Sequence, residues 1–271
     1  ISLDRFYENT DTISVISELI QLSEPDLENK TLFLWPEGII PSINQSELSE
    51  FYFLFDKKFN DKHLLGIGIN NFETKFYNSF SFYDHNLNLI NAYNKVNLVP
   101  FGEFLPFEKI LGIVGLKSLT NNYQSFSSGE NREIIKINEN DFNIKILPLI
   151  CYEIIYSGKI FDNTNFDYII NISEDGWFGN SIGPHQHFTH SIFRAIESGK
   201  YLIRSANNGI SAIINPTGLV EKKISFGNMG YIDFSEKRVS ETTLFSQFGN
   251  KMFLIIILLY IFLIFSSNRI S

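Results

Sequence analysis

The chain has 271 residues, of which 44% are hydrophobic and 15% aromatic, with 27 Phe against 8 Pro and 17 Gly. That composition excludes a disordered, collagen-like or low-complexity chain and leaves ample apolar material for a large core. Its 22 Lys+Arg against 30 Asp+Glu give a net charge of −8, so no nucleic-acid partner is expected, and its single cysteine, Cys151, excludes an internal disulfide scaffold or a thiolate zinc cluster.

The chain begins at Ile1 with no basic and apolar leader after it, which reads as part of a longer protein. Ser2 to Glu8 is polar and irregular. Thr31–Trp35 is a short apolar run closed by Pro36 and predicts a strand; Leu64–Ile69 predicts another. Ser79–Tyr83 and Leu89–Tyr93 form a hairpin pattern around Asp84-His85-Asn86. Phe104–Leu116 is rich in apolar residues and precedes a polar stretch from Thr120 to Arg132; neither fits a compact core, and the first reads either as a packed amphipathic helix or as an arm dipping into a bilayer. Asn143–Ile150 predicts a strand ending at Cys151, and Asp167–Ile172 a buried one. Pro184–Ser198 is the clearest helix, with Gly199 as its stop. Strands near Tyr201–Ser205 and Ser211–Asn215 follow, the second closed by Pro216-Thr217-Gly218. Finally, Met252–Phe265 is apolar throughout. Seventeen uncharged residues separate Lys251 from Arg269, roughly 26 Å of helix at about 1.5 Å per residue, the short end for a membrane span. Strands with few helices predict layered α/β (α+β) packing over residues 1–245 and a transmembrane helix over 250–267.

Three strand ends each offer a reactive group. Trp35-Pro36-Glu37-Gly38 supplies a carboxylate. Asn94-Lys95 through Phe101-Gly102-Glu103 supplies a lysine and a second carboxylate. Ile150-Cys151-Tyr152-Glu153 supplies the only thiol beside a third carboxylate. A thiol is a weak nucleophile near neutral pH until a base takes its proton or a cation stabilises the thiolate. A Glu desolvated among aromatics can serve as that base. A Lys can hold an oxyanion together with the backbone N–H beyond the nucleophile. These are the groups that acyl transfer through a thioester requires.

A Glu after an apolar strand, then a Lys, then a Cys at a strand end resembles the nitrilase superfamily of carbon–nitrogen hydrolases. The longer stretches Lys95–Glu103, Cys151-Tyr152-Glu153, Asp175–Pro184 with Gln186-His187-Phe188, and Arg204–Ser211 resemble its apolipoprotein N-acyltransferase branch. The resemblance runs from about Leu32 to the end. It implies a four-layer αββα sandwich on the periplasmic side of a bacterial inner membrane, tethered by a closing helix. It implies Glu37 as general base, Lys95 as charge stabiliser and Cys151 as nucleophile. Glu103 matches a further essential glutamate and Glu153 an orienting one. The Tyr152 N–H would join the oxyanion site, and Trp177 and Phe178 either line an acyl pocket or pack in the core. The implied partners are a phospholipid acyl donor, a lipoprotein N-terminus as acceptor, and the membrane itself. In that family a membrane helix bundle and a tryptophan-bearing segment precede this region, and neither is present ahead of Trp35.

Two other readings compete: an amidase or nitrilase acting on small carbon–nitrogen substrates, and an inactive membrane-anchored binding module. No cofactor is expected. His185, His187 and His190 cluster on one predicted helix without a carboxylate or thiol at ligand spacing, so no metal site is expected, and His185 and His187 read as pocket or capping residues. Arg194 and Glu197, three apart, predict an ion pair along the helix, and Asn207-Asn208-Gly209 predicts a turn.

Overall fold

A computed structural model describes residues 2–6, 11–72, 74–106, 125–158, 164–239 and 241–267. Among the described residues, ten strands form two sheets. β1 (Thr31–Trp35), β2 (His63–Phe72), β3 (Phe76–Asp84) and β4 (Leu89–Asn94) make a four-stranded sheet in the order β1-β2-β3-β4. β5 (Ile135–Ile137), β6 (Ile144–Ile150), β7 (Tyr168–Glu174), β8 (Tyr201–Asn207), β9 (Ser211–Ile214) and β10 (Val220–Ile224) make a six-stranded sheet in the order β10-β9-β8-β7-β6-β5. Both are mixed: β1 and β2 run parallel, as do β6, β7 and β8, while the remaining pairs are antiparallel.

Side-chain alternation sorts these strands into layers. Leu32, Leu34, Leu64, Phe80 and Phe82 from the first sheet meet Ile146, Ile150, Ile170, Ile172 and Ile213 from the second in one core between the sheets. The opposite face of the first sheet, with Trp35, Leu65, Ile67 and Ile69, is covered by α1 (Thr12–Ser23) and α2 (Tyr52–Phe55). The opposite face of the second sheet, with Leu147, Leu149, Ile169 and Leu202, is covered by α3 (Gly183–Ser198) through Phe188, Ile192 and Ala195. Helix, sheet, sheet and helix therefore stack as the nitrilase-like αββα arrangement.

The predicted strands and hairpin are present, with β3 reaching back to Phe76. The helix predicted over Pro184–Ser198 begins one residue earlier and ends at Gly199, whose φ of 68° is the left-handed stop that glycine adopts readily. Its Arg194–Glu197 pair closes at 2.6 Å. Beyond the expected elements stands α1, whose Asp11 side chain accepts from the Ile13 and Ser14 N–H groups and whose Val15, Ile16, Leu19 and Ile20 face the core. Leu3–Phe6 forms a single 3-10 turn.

Most of the Phe104–Leu116 segment, residues 107–116, lies outside the described residues. The polar stretch after it differs from expectation. Its described part packs against the body: Phe126 stacks on Phe76 with centroids 4.6 Å apart, Ser128 Oγ donates to the Val96 carbonyl at 2.6 Å, and the Gly129 N–H donates to the Lys95 carbonyl at 2.8 Å. Polar side chains let this segment satisfy the backbone of the Lys95 loop, which an apolar strap would leave unpaired.

α4 (Leu244–Phe248) leads into α5 (Lys251–Ser267). Every side chain from Phe253 to Phe265 on α5 is exposed. At 17 residues α5 is roughly 26 Å long, and among the described residues no helix is long and apolar enough to cross a membrane.

Candidate active site

Each expected catalytic group stands just past the C-terminal end of a strand: Glu37 follows β1, Lys95 follows β4 and Cys151 follows β6, and Asp175, which was not expected there, likewise follows β7. Strands β1 and β4 point the same way within the first sheet, and β6 and β7 within the second, so each sheet delivers its groups to one edge. The two edges are tied directly: the Glu174 N–H donates to Glu37 Oε2 at 2.9 Å, and Ser205 Oγ donates to the Leu34 carbonyl at 2.8 Å.

Lys95 is 1% exposed and lies between two carboxylates, with Nζ 3.1 Å from Glu37 Oε1 and 2.9 Å from Glu103 Oε1. Asn78 Nδ2 donates to the same two oxygens at 2.7 and 2.9 Å. Glu103 Oε2 accepts from the Val99 N–H at 2.8 Å, which closes the loop back on itself. Burial works against the Lys95 charge, but Glu37, then Cys151 and Glu103, outweigh it and hold the ammonium well above its ordinary range. A buried ammonium between two carboxylates is fixed in position, which suits a group meant to meet developing negative charge.

Glu37 reaches this point because β2 gives way beside it. A Cβ on Gly68 would lie 2.4 Å from the Pro36 carbonyl oxygen and 2.5 Å from Glu37 Cα, so only glycine lets the Glu37 segment lie against β2.

Cys151 opens a 3-10 turn over Cys151–Ile155 and is buried. Its φ of 47° places a non-glycine residue in the left-handed region, at a cost of about 1–2 kcal/mol. Burial pushes the thiol up; Glu37 adds to this, while Lys95 and a hydrogen bond with Ser173 oppose it. The resting group is a neutral thiol whose sulfur senses both Glu37 and Lys95.

Glu153 is fully buried and acts as a junction. Its Oε1 accepts from Tyr93 Oη at 2.7 Å, the Val96 N–H at 2.9 Å, the Asn97 N–H at 3.0 Å and Arg132 Nη2 at 3.2 Å, and its Oε2 accepts from the Ile150 N–H at 2.9 Å. It thereby fastens the loop after Lys95 to the turn that carries Cys151. Tyr152 is half-buried, with its ring edge-on to Tyr156 at 5.6 Å.

Trp177 and Phe178 sit on a 3-10 turn at the surface, 54% and 41% exposed, so the core-packing alternative for them does not hold. Trp177 leans on Phe6 with centroids 5.1 Å apart, and Phe178 on the His187 ring at 5.4 Å. The cause is the turn itself, which breaks the alternation of β7 before these rings can point inward.

Several groups at the site were not singled out from sequence. Asn78 sits among Phe and Ser residues of β3 and reads there as a solvent-facing position. Behind Cys151, Asp175 gathers Arg204 Nη2, at 2.9 and 2.7 Å from its two oxygens, Ser173 Oγ at 2.7 Å and His187 Nδ1 at 2.8 Å. Burial resists the Asp175 charge, but Arg204 and His187 prevail and hold its carboxyl at about 2. Arg204 also donates to Asn171 Oδ1. The expected Asn207-Asn208-Gly209 turn is present, and both amides donate to Glu174, at 2.8 and 3.1 Å. His187 is neither a cap nor a pocket wall but a buried link in this cluster. Among the described residues no three His, Cys, Asp or Glu side chains converge to hold a metal ion.

Two carboxylates, an ammonium and a thiol at facing sheet edges of an αββα sandwich define a class of thiol-dependent enzyme fold, and the sequence agrees: the carbon-nitrogen hydrolase profile matches residues 31–236. The chain belongs to the carbon-nitrogen hydrolase family. Among curated proteins it is similar to the apolipoprotein N-acyltransferases of Rhizobium rhizogenes (36% identical, 74% of this chain and 39% of that protein), Rickettsia typhi (43%, 62% and 33%) and Wigglesworthia glossinidia brevipalpis (34%, 92% and 51%). The chain thus spans between a third and about half the length of these relatives. Among solved structures it shares its fold with the amidase from Nesterenkonia sp. AN1 (TM-score 0.53, 14% identity, 79% of this chain and 82% of that one) and the carbon-nitrogen hydrolase from Helicobacter pylori G27 (TM-score 0.56, 17% identity, 79% and 80%).

Proposed function

We propose that this chain carries the acyl-transfer chemistry of an apolipoprotein N-acyltransferase. The observation that carries the reading is the meeting of Glu37, Lys95 and Cys151 at the facing edges of the two sheets, in a chain 34% identical to such an enzyme over 92% of its length. In the first step Glu37 takes the Cys151 proton and the thiolate attacks an ester carbonyl of a membrane phospholipid. Lys95 and the Tyr152 N–H hold the oxyanion, lysophospholipid departs, and an acyl thioester remains on sulfur. In the second step the α-amine of a diacylglyceryl-cysteine at a lipoprotein N-terminus attacks that thioester, which frees the thiol and leaves an N-acylated product.

Glu103 and Glu153 position the lysine and the nucleophile turn. Trp177 and Phe178, exposed beside the site, offer apolar surface for an acyl chain. Residues 1–245 form the catalytic domain, on the periplasmic face of the inner membrane, and residues 250–267 its membrane helix, of which the 17 described residues of α5 fall just short of a full span. The side chains from Phe253 to Phe265 on α5 are exposed, and the helix pairs its backbone groups internally, as a bilayer demands.

The test is acyl labelling of the full-length protein with a phospholipid carrying a marked fatty acid. Label should accumulate on the wild-type protein, pass to a diacylglyceryl-cysteine peptide when one is added, and be absent from Cys151→Ala. Undiminished labelling of Cys151→Ala would reject the assignment. Turnover of small amides in detergent, with no lipid labelling at all, would favour the amidase reading instead.

A further inference from the structure

The residue that carries the thiol is held from behind by a group that no step above employs. His187 lies in the first turns of α3 and is 4% exposed. Its Nε2 is 3.1 Å from the main-chain carbonyl oxygen of Cys151, and its Nδ1 is 2.8 Å from Asp175 Oδ1. A carbonyl oxygen only accepts, so the short Nε2 contact requires a hydrogen on that nitrogen.

The anchor behind the imidazole cannot shift. Arg204 grips both Asp175 oxygens, and Ser173 donates to one of them. Gly209 presses on the same carboxylate so closely that a Cβ there would fall 2.2 Å from Oδ2. The Cys151 backbone, meanwhile, is in a left-handed conformation that its own side chain disfavours. Something outside the turn must hold it there, and the bond to its carbonyl is placed to do so.

We infer that His187 is a positioning residue for the nucleophile: fixed by Asp175, it donates Nε2–H to the Cys151 carbonyl and keeps that residue in the left-handed turn from which its thiol meets Glu37 and Lys95. This rests on the acyl-transfer reading of Cys151, and the experiment separates the two.

His187→Gln keeps an amide N–H near the place of Nε2. His187→Asn is shorter, keeps a partner for Asp175 only, and loses the bond to Cys151. In the full-length protein, acyl-enzyme formation is followed at saturating phospholipid, alongside alkylation of the single thiol by iodoacetamide. His187→Asn should acylate about 100-fold more slowly, since small misplacements of a reacting group cost that much, with the lipid concentration for half-maximal rate unchanged. His187→Gln should recover to within about tenfold of wild type, and alkylation should follow the same order. A purely structural role would slow both variants alike, and that result, or wild-type rates in both, overturns the inference. If wild-type protein forms no acyl-enzyme, the acyl-transfer reading fails, while the alkylation comparison still decides the role of His187. Should His187→Asn not fold, isotope-labelled histidine in the unaltered protein gives the answer by NMR: a slowly exchanging proton on His187 Nε2 is expected, and a bare Nε2 overturns the inference.

Discussion

At the residue scale, the thiol and its neighbours pull in opposite directions. Burial and Glu37 make Cys151 hard to ionise, while Lys95 makes ionisation easier. In the proposed mechanism, proton transfer to Glu37 removes one negative charge from beside the sulfur in the same event that creates another, so the thiolate forms beside Lys95 without an ionised Glu37 next to it. Two consequences separate a base from a structural carboxylate. Glu37→Gln should lower acyl-enzyme formation by about 10²–10⁴-fold, the usual contribution of a general base. Simple alkylation of Cys151, which needs no such base, should respond the other way. In the parent protein its rate should still be rising above pH 9, the ordinary thiol value, and in Glu37→Gln the rise should begin at lower pH. Rate–pH profiles with iodoacetamide measure both, and a plateau near pH 9 in the parent protein would contradict the account. Cys151, Glu37, Lys95 and Glu103 were legible in sequence because each follows or lies near an apolar run that ends abruptly. Asn78, Ser173 and Arg204 were not, because a polar side chain inside a strand looks the same whether it faces water or a buried partner.

At the element scale, reactive groups are placed by backbones that approach one another more closely than side chains allow. Gly68 is the tightest case beside Glu37. Gly68→Ala would put a methyl against the Pro36 and Glu37 main chain, which cannot rotate away. It should destabilise the protein by about 1–3 kcal/mol and also reduce acylation. Gly66→Ala, two positions along the same strand, would meet only the Leu34, Phe80 and Phe82 side chains at 3.1 Å. It should cost stability with a far smaller loss of acylation. Denaturant melts paired with acyl-labelling rates distinguish the two, and equal losses of activity would show that Gly68 has no special tie to Glu37. The principal strands were legible because both faces of β2 and β6, and one face of β7, are apolar, as strands buried between layers require. β10 was not: Glu221, Lys222 and Lys223 make this edge strand read as a loop. β5, with three residues, is too short to declare itself. α1 is readable in principle from its Asp11 cap and apolar spacing, but polar sequence on either side of it masks the signal.

At the scale of the whole molecule, the Asp175 cluster ties β7, β8 and α3 together through charge as well as packing. Its carboxyl is held at about 2 against an ordinary 3.8. A depressed carboxyl stabilises the fold above its unfolded value and ceases to do so as pH falls through the folded one, so the loss falls between pH 3.8 and about 2. The contribution is about 2 kcal/mol. Thermal midpoints should therefore decline across that window in the parent protein. Asp175→Asn should be less stable at neutral pH and should show a correspondingly smaller acid-dependent decline; an unchanged decline would place the acid sensitivity elsewhere. Layered α/β packing was legible from the rhythm of strands. The cluster was not, since it joins residues 171 to 204 across two strands and a helix, a juxtaposition that no local spacing encodes.

The two sheets come from successive halves of the chain, β1 to β4 before Glu103 and β5 to β10 after Arg132. Glu37 and Lys95 belong to one half, and Cys151 to the other. A polypeptide severed between them would yield two partners, neither holding all the groups of the proposed acyl transfer, whose recovered activity on mixing would report how faithfully the halves find each other again.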